Sequence, residues 1–204
     1  MTSGDQLVSL IGKYSPCPPG VGWLRLQQSA AQTWQDCPNA SWMIWYIVQV
    51  IRPAPFTPLW QGMILACCQI ARTVLFVVPP GDDRPRRAIE ATENYVQGTA
   101  TIEHVKDAYD AAIAAYSAAG NASHAVLAAL AVCAYGAALA IGRPRIAATN
   151  ASAAATAVGA YAARKEHADI IRQFMPIVPS TLTLSAALAT AAANEATKNE
   201  RKEK

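Results

Sequence analysis

Apolar residues recur along this chain at three- and four-residue spacing, broken at intervals by proline and glycine, the pattern of helices joined by short loops. Ser3 or Asp5 can cap a short first helix ending at Gly12. The prolines and glycines of YSPCPPGVG, residues 14–22, predict an irregular loop. Ser29 with Gln32 three residues later makes a capping box, so a helix is expected from Ala30 to Asp36, stopped by Pro38. Asn39 then caps a strongly apolar helix from Ala40 to Ile51, ended by Arg52-Pro53. Thr57-Pro58 has the form of an N-cap and first helical residue, opening a helix expected to reach Val78. Almost every face of that helix is apolar, which places it at the centre of a core.

Pro79-Pro80-Gly81 breaks the chain again, and Asp82 or Asp83 caps a helix ending at Gly98. Thr99 or Thr101 starts the next, to Gly120, and Asn121 or Ser123 a third, to Gly142. From Pro144 a longer helix, kinked at Gly159, reaches Phe174, and its last third, AARKEHADIIRQF, turns amphipathic and charged and is expected to emerge onto the surface. Ser180 caps a final helix through Thr197, followed by a solvated KNERKEK tail. Between residues 82 and 174 the helices are rich in alanine, and such faces bury enough surface only when backbones approach closely. The expectation is an all-α fold: an alanine-rich multi-helix bundle (residues 56–180) behind a Trp-rich N-terminal helical module (1–55), with a C-terminal helix and charged tail (181–204).

Composition narrows the classes. The chain has 204 residues, 52% of them hydrophobic and 15% charged, which excludes intrinsic disorder and raises the question of a membrane. Residues 59–78 and 124–142 approach a spanning length. Arg72 interrupts the first, and the second is weakly hydrophobic with no aromatic belt, so buried helices are preferred over membrane spans. A net charge of +3, spread rather than striped, does not argue for nucleic acid. Without a secretory signal at residues 1–15 the chain is expected in the cytoplasm, with Cys17, Cys37, Cys67, Cys68 and Cys133 as reduced thiols rather than a Cys17–Cys37 bridge. The Asn-Ala-Ser sequons at Asn39 and Asn121 then read as helix caps, not glycosylation sites.

Candidate chemistry is sparse. His104, His124 and His167 fall on three different expected helices with no partner at metal-ligand spacing, so no metal and no cofactor is expected. Glu90 with Glu93, and Asp107 with Asp110, place carboxylates on one helix face, but the Glu-x-x-His pattern of di-iron bundles is absent. No nucleophile motif or phosphate loop occurs, so no catalytic residue is assigned and a binding role is expected instead of an enzyme. Two groups remain as binding candidates. Arg84, Arg86 and Arg87 sit in a helical first turn, against the dipole, and require an acidic neighbour (Asp82, Asp83 or Glu90) or an anionic partner. Trp23, Trp34, Trp42 and Trp45 hold four of the five tryptophans and serve either as core or, through Trp23 and Trp34, as a recognition surface.

The segment from Asp82 to Ala91, DDRPRRAIEA, followed by Tyr95, Gly98 and alanine-rich helices, resembles the all-helical immunity proteins encoded beside polymorphic toxin genes in bacteria, a domain also found in phage proteins. The likeness covers residues 75–170 and rests on the D-x-R-P-x-x-A-I-E pattern. Cys17, Trp23, Trp34, Cys37, Trp42 and Trp45 are similar to a module that precedes this domain. The resemblance implies stoichiometric neutralisation of a protein toxin or effector, with polar positions mapping onto Asp83, Arg84, Arg87 and Glu90. Alternatives are a phage protein that counters a bacterial defence by binding an effector or small anionic signal, and a small membrane protein. The alanine faces also permit a homodimer.

Overall fold

A computed structural model of the protein describes residues 3–73, 75–78, 80–118 and 161–176. All regular structure among these residues is helical. The helices are α1 (Ser3–Ile11), α2 (Pro18–Arg25), α3 (Ala30–Asp36), α4 (Ala40–Tyr46), α5 (Pro58–Arg72), α6 (Arg84–Val96), α7 (Ile102–Ala118) and α8 (Tyr161–Phe174). The all-α expectation therefore holds for the described chain. The helix expected from residue 121 to 142, the kink at Gly159, the C-terminal helix and the charged tail lie outside the described residues.

The described chain divides into two compact units. The first contains α1–α3 and residues 49–52. Here the structure corrects one expectation: Pro18 and Pro19 begin a helix instead of forbidding one. Cys17 takes the extended N-cap conformation, and first-turn residues lack an intrahelical acceptor anyway, so proline loses nothing there. α1 crosses α2 with its backbone so close that a Cβ on Gly4 would clash with the Leu24 carbonyl oxygen. α3 starts as its cap predicts, with the Gln32 N–H donating to Ser29 Oγ at 3.1 Å.

The second unit contains α4–α8. Asn39 caps α4 by accepting from the Ser41 N–H at 2.9 Å. The helix expected through Ile51 is α-helical only to Tyr46 and then widens into a π turn, Ile47–Ile51. Its β-branched run crowds an α turn. Pro53 has no N–H to return to the Gln49 carbonyl, and the Arg52 side chain supplies that donor through Nε at 2.9 Å.

α5 is the centre of its unit, as its apolar composition predicts: Trp60, Met63, Ile64, Ala66, Cys67, Cys68, Ile70 and Ala71 are all buried, and α6 and α8 both pack on it. It nevertheless ends at Arg72, short of Val78. The Thr73 hydroxyl donates back to the Ile70 carbonyl at 2.7 Å, and a short 3-10 turn, Leu75–Val77, follows. At about 1.5 Å per residue α5 is about 22 Å long, below the roughly 30 Å of a bilayer core. No helix among the described residues is long and apolar enough to cross a membrane.

α8 is amphipathic, as its sequence predicts. His167, Ala168, Ile170 and Ile171 are buried while Lys165, Glu166 and Asp169 are exposed, so this charged segment covers the core with one face. It runs opposite to α5: Gly62, near the start of α5, lies against Phe174 at the end of α8, and a Cβ on Gly62 would come 2.9 Å from the Phe174 carbonyl oxygen. α7 packs on α6 through Val105, which is fully buried among Tyr95, Ile102 and Tyr109.

Candidate functional site

Five of the seven candidate binding residues belong to α6 or its cap. Gly81 takes φ +89°, the left-handed turn that glycine accommodates without strain, and directs the chain into the helix. Asp83 occupies the N-cap position without a side-chain capping bond. Asp82 does that work instead: its Oδ1 accepts from the Arg84 N–H at 3.1 Å. The same carboxylate takes Arg84 Nε and Nη2, both at 2.8 Å. Those bonds from Arg84 hold the Asp82 carboxyl below the usual carboxylate range and push the Arg84 guanidinium up.

Arg87 pairs with Asp83 at 3.2 Å, one helical turn apart, with both side chains well exposed. The requirement for acidic neighbours at this helix start is thus met twice, by Asp82 and Asp83. Arg86 and Glu90 are exposed and form no ion pair with each other. Pro85, Ala88, Ile89, Thr92 and Val96 are buried on the opposite side of α6. The helix therefore presents Asp83, Arg86, Arg87 and Glu90 outward as one mixed-charge face, while Arg84 lies half-buried against Asp82.

The remaining two candidates belong to the first unit. Trp23 is half-buried on α2, and Trp34 is buried on α3 with 7% of its surface exposed. Trp42 and Trp45 are half-buried on α4. Cys17 is exposed and Cys37 buried, each as a free thiol.

The functional-looking contacts that the sequence did not reveal lie at the end of α5. Arg72 makes a two-point ion pair with Glu93 of α6. An arginine in an apolar helix signals a partner carboxylate, but several acids could have supplied it. Thr73 Oγ1 lies 3.1 Å from Nε2 of the buried His167, a residue 94 positions away. No local signal links the two. A hydroxyl beside an imidazole is the first half of a nucleophile–base pair. The Thr73 hydroxyl also lies 2.7 Å from the Ile70 carbonyl, which can only accept, so the tautomer of His167 that donates from Nε2 satisfies both contacts at once. In that tautomer the contact fastens α8 to the end of α5.

Among the described residues, no three His, Cys, Asp or Glu side chains converge in a way that could hold a metal ion. No family model, curated protein or solved structure matches the chain.

Proposed function

We propose that this protein is a non-enzymatic, cytoplasmic inhibitor of the immunity type, which neutralises a protein toxin or effector by stoichiometric binding through the outward face of α6. The observation that carries the proposal is the arrangement of that helix. One side is locked into the core by Pro85, Ala88, Ile89, Thr92 and Val96, so the charges on the other side stand in fixed positions. A rigid scaffold presenting both signs of charge favours a complementary protein surface, since opposed charges set orientation and reject wrong partners. The D-x-R-P-x-x-A-I-E resemblance falls on the same residues.

The test is co-expression with candidate toxins, beginning with any encoded next to its gene. The expected result is protection of the host and a complex of fixed stoichiometry by light scattering. Reversing two charges, Arg86→Glu with Glu90→Arg, should weaken the complex at least about tenfold, the equivalent of about 1.4 kcal/mol, while leaving the helical content unchanged. Failure to protect and to form a complex overturns the immunity reading. A complex indifferent to the reversal moves the interface away from α6.

A further inference from the structure

We infer that His167 is an acid-sensitive latch: while neutral it fastens α8 to the end of α5, and on protonation it releases that seam. The residue is 5% exposed on the core face of α8, beside Ala168 and Ile171. Its Nε2 meets Thr73 Oγ1 at 3.1 Å. A hydroxyl carries a single hydrogen, and that of Thr73 goes to the Ile70 carbonyl at 2.7 Å, closing the last turn of α5. The imidazole tautomer that donates from Nε2 satisfies both contacts of the hydroxyl at once, and it leaves Nδ1 as the bare nitrogen. Protonation would add an N–H at Nδ1 and would place a charge in the core.

The surrounding charges do not offset that penalty. α8 itself carries Arg164, Lys165, Glu166, Asp169 and Arg172. Arg172 is taken up by Asp169 and by the Cys37 carbonyl. α5 contributes Cys67, Cys68 and Arg72, the last engaged by Glu93 of α6, where Glu90 also lies. α4 contributes Tyr46. Among the described residues Glu166 acts on the imidazole, and it favours the charged form. Burial outweighs it and holds the group below the ordinary histidine range. The depressed folded value sets the sign. The stabilisation is complete above the unfolded value of about 6.5 and is lost as pH falls through the folded value.

Release of the seam would uncover Ile170, Ile171 and Met175, together with the small-residue surface around Gly62. The latch therefore couples acidification to exposure of apolar surface in this unit.

The test is hydrogen exchange of the α5 and α8 peptides in the full chain between about pH 7.5 and about pH 5, corrected for intrinsic rates, with the His167 ring titrated by NMR. The expected ring value lies below 6.5, and opening of α5 and α8 should rise by up to about tenfold per pH unit from 6.5 down to the ring value and level off beneath it, ahead of α7. His167→Gln keeps a donor for Thr73 but does not titrate, so it should abolish the acid step. His104→Gln, on an exposed position of α7, should retain it. A ring value at or above 6.5, or α5 and α8 exchange that follows α7 at every pH, overturns the inference. The ring titration and the wild-type exchange decide the matter even if His167→Gln does not fold.

Discussion

Arg72 at the end of α5 and Glu93 in α6 face each other in a two-point ion pair, Nε to Oε1 at 3.0 Å and Nη2 to Oε2 at 2.6 Å. With side chains 35% and 23% exposed, the pair is neither solvated nor fully buried. Such a fork fixes both distance and orientation, which a lysine in the same place would not do. Removing one partner leaves a partly buried charge behind. Arg72→Met alone or Glu93→Leu alone should therefore lower stability by about 1–2 kcal/mol, and the double variant by less than the sum. Urea unfolding of all four proteins checks this. Strict additivity would mean that the two side chains do not stabilise each other.

α5 and α8 approach so closely at Gly62 that an added Cβ meets a carbonyl oxygen at 2.9 Å and the Met175 side chain at 3.2 Å. Backbone cannot yield as a flexible side chain can, so Gly62→Ala should destabilise by about 1–3 kcal/mol. Gly22 has open space around its Cβ position within α2. There Gly22→Ala should stabilise by about 0.5–1 kcal/mol, because the unfolded chain loses freedom and nothing is struck. Melting temperatures shifting in opposite directions are the expected outcome.

Asn39 caps α4 through a single side-chain bond to Ser41. Asn39→Ala should cost about 1 kcal/mol, and Asn39→Ser or Asn39→Asp should recover most of it. Equal loss in all three variants would show that Asn39 acts through packing and not as a cap.

Cysteine reactivity should separate by burial. Cys17 is exposed, whereas burial pushes the Cys37 thiol up to about 11. At mildly alkaline pH, alkylation followed by peptide mapping should modify Cys17 first and leave Cys37 until the protein unfolds. Simultaneous modification of the two in the folded state would contradict the burial of Cys37.

Helix starts were legible because they depend on neighbours in the chain. Ser29, Asn39 and Thr57 each donate or accept within three residues, and the side chain of each can be read beside the helix it opens. Pro18-Pro19 obeys the same first-turn rule as Thr57-Pro58, so α2 too was within reach of local reasoning although its prolines predicted a loop. The buried face of α6 likewise follows from spacing, and with it the outward position of Asp83, Arg86, Arg87 and Glu90.

By itself, then, the sequence determined that this chain builds helices, where most begin and which of their faces are apolar, since these depend on bonds and periodicities spanning a few residues. Only the tertiary structure decided that Glu93 rather than another acid receives Arg72, and that Thr73 meets His167. Each of these is a distance between residues far apart along the backbone. It is set by how close the helices can come, at Gly62 above all, and no local pattern encodes that approach.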